Sequence, residues 1–183
     1  TRGIFTMRWF LCLRWYAAAS VLRCSPLNRA LAFKEVMSKR PKLGDIVEIP
    51  LPENGTGYAQ YTHKHKQYGA LLHVFQICEK VEDISYLLTV PHQFTTFFPL
   101  GAAVNREIVS IVGSLPIREE FKAFPIFRSG MVNKSGTVEV WWLWDGENEE
   151  RIGKLSPKQM EYPIRGIIND TLLIERICEG WQG

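Results

Sequence analysis

Residues 137–153 constrain this chain more than any other stretch. They read TVEVWWLWDGENEERIG, β-branched and aromatic residues running into an Asp-Gly turn, which is the residue chemistry of a tight hairpin. Three of the six tryptophans sit here. Side chains alternate along a strand, so the pattern predicts Val138, Val140, Trp142 and Trp144 on one face and Glu139, Trp141 and Leu143 on the other. The first face has no polar residue and is expected to enter the core. The second mixes a carboxylate with a tryptophan, which suits either a half-covered surface or a place where a partner docks.

A chain of 183 residues has room for one domain with a substantial core. Its apolar fraction of 46% and charged fraction of 22% lie near globular averages, which speaks against wholesale disorder and against a coiled coil. The net charge of +3 is unevenly spread: residues 1–36 hold six basic side chains and one acid, and the remainder holds 16 basic and 18 acidic. The part expected to fold is therefore mildly acidic and lacks the electrostatic footprint of a nucleic-acid binder. Residues 1–36 carry an apolar run, Trp9 to Leu13 and Trp15 to Ala19, broken by Arg14. That run superficially resembles a signal peptide but falls short of the ~20 apolar residues of a membrane span. The expectation is a non-native or disordered leader from upstream translation, with Met37 as the natural start and residues 37–183 as a single domain. A secretion signal and a true N-terminal helix are the alternatives.

Past residue 42 the texture is of short strands between turn residues. Strands are expected at 45–51, 58–63, 69–77, 84–90 and 108–112, with a turn at Asn54-Gly55 and a reversal at 64–67. Residues 91–99, aromatic but bracketed by prolines, read as a packed loop or a short irregular strand. A short helix is expected within 116–125, and another opened by Ser156 and Pro157. A last one follows Asn169, with Leu173, Ile174, Ile177 and Cys178 on one face and Gly180 at its C-terminal cap. The predicted class is α+β: an antiparallel, strongly bent or barrel-like sheet with a few short helices.

Signals of chemistry are weak. His63 and His65 share a strand face, but no third ligand stands at metal spacing and Lys64 and Lys66 repel a cation, so the pair reads as a solvent-exposed turn. His73, alternating with Leu71 and Phe75, reads as a core or interface histidine. His92 and Cys78 make a base and nucleophile only if the fold joins them. Cys78 and Cys178 lie among apolar residues and are expected to be buried free thiols in a reducing compartment. Asp145, Glu147, Glu149 and Glu150 fall at a turn, where solvated charge is cheap. No phosphate loop is present. The expectation is a binding module with no metal, no cofactor and no catalysis.

Several segments carry a resemblance: KLGDIVEIPL at 42–51, GYAQ at 57–60, LPIREEF at 115–121, FPIFR at 124–128, WLWDG at 142–146 and NDTLLIERI at 169–177. In this order they resemble the immunity protein 26 family of bacterial polymorphic toxin systems over about residues 41–177. The resemblance implies a cytoplasmic α+β protein that binds and neutralises one cognate toxin. It supplies no contact residues. From the residues themselves the expected partner surface is the outer face of the tryptophan strand, Glu139 and Trp141, continued by Asp145, Glu147 and Glu149 at the turn. The competing reading is a small SH3-like-barrel module for nucleic acid or an adaptor role, since the 44–60 hairpin resembles the opening of such barrels.

Overall fold

Turn residues cut the chain into short strands, and the computed structural model, which describes residues 40–183, pairs these strands into two antiparallel sheets. The expected leader at 1–36 lies outside the described residues. β1 (Asp45–Pro50), β2 (Thr56–His65), β3 (Gly69–Phe75), β4 (His92–Phe98) and β5 (Ser110–Ser114) form a five-stranded sheet in the order β4-β3-β2-β1-β5. β6 (Phe127–Val132), β7 (Val138–Trp144) and β8 (Glu149–Gly153) form a three-stranded meander. Helices α1 (Leu100–Asn105) and α2 (Asp170–Cys178) complete an α+β fold. The larger sheet is open, with β4 and β5 at opposite ends.

Both faces of the large sheet are covered. On one, Val47, Ile49, Ala59, Tyr61, Leu72, Val74, Phe94 and Phe98 pack under Leu100 and Ala103 of α1 and Leu173 and Ile177 of α2. On the other, Ile46, Tyr58 and Phe75 meet Leu87, Val90 and Phe121 from irregular segments, while Leu71 and Phe97 meet Phe127 and Trp144 of the second sheet. Residues 163–168 tie the sheets together along their edges. Pro163 and Arg165 bond the backbone of Arg128 in β6 at 2.9 and 2.8 Å, and Ile168 N–H donates to the Phe97 carbonyl at 3.0 Å. Two strand edges are thereby occupied that would otherwise be open to pairing.

The helix signals at 169–180 are obeyed. The Asn169 side chain accepts from Leu172 N–H at 2.9 Å, and Gly180 and Trp181 N–H donate to Ile177 and Arg176 at 3.2 and 3.0 Å, the paired bonds of a Schellman end. Leu173 and Ile177 are buried as expected, but Cys178 is exposed, and so is Cys78. The buried thiols of the sequence reading are therefore corrected: Gln76 and residues 78–80 leave the sheet at the surface, and Cys178 points off the packed stripe of α2.

Other expectations shift for identifiable reasons. Residues Ile84–Leu88 form a 3-10 turn, not a strand, because the Asp83 carboxylate caps it by accepting from Ser85 N–H at 2.8 Å. Of the two readings of residues 91–99, a packed loop or a short irregular strand, the strand holds: they contain the buried strand β4. Pro91 and Pro99 stand just outside it, so neither removes a ladder donor. α1 and β6 are not among the expected elements. Ala102 and Ala103 start α1 on the Pro99 carbonyl at 3.0 Å each; Gly101 and the six-residue length mute its pattern.

Candidate functional site

The tryptophan strand is the middle of the three-stranded sheet, and its ends differ. At the base, Trp144 pairs with Phe127 across the ladder. Its ring lies 5.0 Å from His65 and from Tyr68, 5.7 Å from Phe124 and 5.7 Å from Phe127. Edge-on and tilted rings at these spacings add to the burial of area, and Trp144 is 6% exposed. At the far end Met131 is 80% exposed and Val132 66%. The sheet is anchored at one end and projects at the other.

The expected alternation fails part-way along β7. Gly130 faces Trp141, but Val132 faces Val138, so β7 carries one residue more than β6 across this interval, a β-bulge. The extra residue moves Val138 to the Trp141 side. Both pack over Gly130, where a Cβ would meet Val138 Cγ1 at 2.4 Å and Trp141 Cε3 at 3.1 Å. Of the four residues expected in the core, only Trp144 is buried; Val138, Val140 and Trp142 are half-covered. Trp142 shares the Trp144 face of the sheet but is only half-covered. Met131, Val132, Asn133, Glu139, Val140 and Trp142 line a shallow groove there of about 290 Å³.

The five expected contact residues are spread along β7 and its turn. Glu139 and Asp145 are six steps apart on β7 and its turn, about 20 Å at ~3.3 Å per residue. Glu139 is exposed and accepts from Asn133 Nδ2 at 2.9 Å. Trp141 is half-covered, with the Arg128 guanidinium 5.6 Å from its ring. Asp145 spends its carboxylate on its own turn, accepting from Glu147 N–H at 2.9 Å and Asn148 N–H at 2.7 Å. Those bonds, Asn148's first, hold its pKa below the usual aspartate range. Gly146 (φ 106°) adopts a left-handed conformation against Phe124 that a side chain would clash with. Glu149 pairs with Arg165 at 2.7 Å, and Arg165 in turn lies 5.4 Å from the Trp144 ring. Glu147 is exposed and lines a second groove, about 440 Å³, with His63, Lys64, His65, Lys66 and Phe124.

His63 and His65 are not an exposed turn. Both lie in β2, half-buried, and join it to neighbouring segments. His63 Nε2 donates to the Lys122 carbonyl at 3.0 Å. His65 Nε2 donates to the Gly146 carbonyl at 3.2 Å, and its Nδ1 accepts from Gln67 and Tyr68 N–H at 3.2 and 3.3 Å. This pattern requires the neutral ring with the proton on Nε2. His65 thereby holds the turn of the tryptophan hairpin against the large sheet.

A polar row that the sequence did not single out crosses the large sheet. Gln60, His73 and Thr95 are cross-strand neighbours. The Thr95 hydroxyl lies between His73 Nδ1 at 3.1 Å and His92 Nε2 at 2.9 Å. Residues 115–121 cover the row. The Gln60 amide donates to the Leu115 carbonyl at 3.1 Å, Phe121 stacks on His73 at 4.1 Å, and Arg118 donates to the Leu87 and Val90 carbonyls at 2.7 and 2.5 Å. His73 is 4% exposed, and its pKa is pushed well below 6.5 by burial first and then by His92, His63 and Arg118. Thr95 is equally enclosed, so its hydroxyl is not presented to a substrate. His92 bonds Thr95 while Cys78 turns to the Ile177 carbonyl, so the two make no base–nucleophile hydrogen bond. Among the described residues no group of three or more His, Cys, Asp or Glu gathers as metal ligands, and no helix is long and apolar enough to cross a membrane.

Comparison with protein-family models, with curated proteins and with solved structures gave no match for this chain.

Proposed function

We propose that this protein is an immunity protein that binds one cognate bacterial toxin in a tight one-to-one complex in the cytoplasm and neutralises it by occlusion, without catalysis. The observation that carries the reading is the anchored sheet with its projecting apolar end. Met131 and Val132 stand exposed beside half-covered Val140 and Trp142, with Glu139 at their rim. A rigid strand pair bearing methionine, tryptophan and a carboxylate suits a surface that buries apolar anchors inside a polar ring. The motif resemblance points to the same role. Glu139 stays in the contact surface, which moves to the Trp142 side. Trp141, Asp145 and Glu149 are engaged by Arg128, the turn and Arg165, and serve as its frame; Glu147 extends the acidic rim. This part of the chain, with 16 basic and 18 acidic residues beyond position 36, favours a basic partner surface and faster encounter with it. The SH3-like nucleic-acid module has less support, since the large sheet is open and its charge balance is acidic.

The test is to co-express the toxin reading frame beside this gene with and without the protein, and then with Met131→Asp and Trp142→Ala. Nanomolar affinity or better, about −12 kcal/mol, is expected, with a loss of at least about 2 kcal/mol on truncating a hot-spot tryptophan. Equal killing with and without the intact protein overturns the immunity reading. Full rescue by both variants leaves it standing and moves the surface elsewhere.

A further inference from the structure

Cys78, a hundred positions before Cys178 in sequence, reaches the end of α2. The Cys78 Sγ lies 3.9 Å from the carbonyl oxygen of Ile177, the residue bonded to Cys178. That carbonyl oxygen is roughly 2.8 Å from the next Cα in a trans peptide, which puts the Cys78 sulfur within about 7 Å of Cys178 Cα. Both backbones are held. The Cys78 carbonyl accepts from Thr56 N–H at 3.1 Å, and the end of α2 is closed by bonds from Glu179, Gly180 and Trp181 at 2.9, 3.2 and 3.0 Å. The buried Gln93 amide also donates to the Arg176 and Trp181 carbonyls at 3.1 and 3.3 Å. Both thiols are free and exposed, within reach of a small oxidant.

We propose that Cys78 and Cys178 form a regulated disulfide that fastens the last turn of α2 to the segment leaving β3, with a low-molecular-weight disulfide such as oxidised glutathione as the oxidant. The step balances as thiol exchange. The Cys178 thiolate attacks one sulfur of the oxidant, the S–S bond breaks, and one glutathione thiol leaves. The Cys78 thiolate then attacks the Cys178 sulfur and displaces the second glutathione. Two protein thiols are oxidised, one disulfide is reduced to two thiols, and the two protons leave with them. Partial burial, and then the neighbouring Cys178, push the Cys78 pKa up, which suits Cys78 to the second, intramolecular attack, where proximity replaces reactivity. A glutathione pool that is mostly reduced leaves the pair as thiols.

The experiment treats the folded full chain with oxidised glutathione and maps its disulfides by mass spectrometry without reduction. Unfolded protein is the control, because Cys12 and Cys24 offer other pairings. The expected result is a linked Cys78–Cys178 peptide from the folded chain and a Tm raised by at least about 5 °C, as a ring of about a hundred residues allows. The rise should be reversed by dithiothreitol and absent in Cys78→Ser and in Cys178→Ser. Separate glutathione adducts on the two residues, pairing with Cys12 or Cys24, both thiols left free, or a linked peptide without a rise in Tm would each overturn the proposal.

Discussion

The two sheets are built from similar residues and are buried to different degrees. β3 and β4 run through Leu71, Leu72, Val74, Phe75, Phe94, Phe97 and Phe98, all buried, and β7, with Val138, Val140, Trp141, Trp142, Leu143 and Trp144, buries Trp144 alone. Side-chain hydrophobicity does not separate them. Coverage does, because the large sheet has α1 and α2 on one face and residues 84–90 and 115–121 on the other, while the small sheet touches the rest of the fold only at its base. Burial needs a second layer, and a strand rich in tryptophan that lacks one keeps its apolar surface for something else.

The largest expected effect comes from breaking the junction. Trp144→Ala should cost about 3–5 kcal/mol in chemical denaturation, the usual cost of removing a large aromatic from a packed site. Hydrogen exchange should show protection lost across residues 127–153 and kept in β2 and β3. Equal loss in both sheets would mean that they form one cooperative unit rather than a core and an appendage.

Gly130→Ala tests the bulge. Its Cβ would come within 2.4 Å of Val138 Cγ1, and overpacking of this kind costs about 1–3 kcal/mol. The damage should be confined to the far end of the small sheet, seen as a changed near-UV tryptophan signal with little change at the large sheet. Unchanged stability would show that the strand pair gives way freely.

Acid should act on the other sheet. His73 has its pKa held well below 6.5 by burial first and then by its neighbours His92, His63 and Arg118, and burial lowers that of His92 as well. The unfolded chain takes up these protons near pH 6.5 while the native state does not. Stability is therefore full above about pH 6.5 and falls as the pH drops toward the depressed native values, by at most ~1.4 kcal/mol per pH unit for each proton. His73→Asn should reduce this slope, measured as urea midpoint against pH between 7 and 5. An unchanged slope would place the titration elsewhere.

The smallest effect on stability is expected at the projecting end. Met131→Ser and Val132→Ser should stay within about 0.5 kcal/mol of the parent, as exposed positions do. A larger loss would mean that the groove is already packed in the free protein.

Part of this architecture was legible in the residues. The Asp-Gly turn after a run of tryptophans, the Asn169 cap and the Gly180 end are local devices: the groups that decide them lie within four or five positions of one another. β1 was legible from its two-residue alternation, and β2 and β3 from the turn residues at 54–55 and 64–67 that bound them. β4 was legible only as one of two readings, since the prolines that suggested a break fall just outside the strand. The core place of His73 was legible from its alternation with Leu71 and Phe75, but the polar row it forms with Gln60, Thr95 and His92 was not, because its members come from three separate strands.

The sequence alone determined the mixed α and β class, the antiparallel hairpins, the caps of α2 and the acidic balance of residues 37–183. Only the tertiary structure decided which tryptophan is core, since Trp142 and Trp144 share a face of β7 and Trp144 alone is buried, against Phe127, His65 and Tyr68. It also decided that His63 and His65 are ties between segments and that Cys78 meets α2. These depend on residues tens of positions apart coming within a few ångströms, and no local pattern records a distance across the fold.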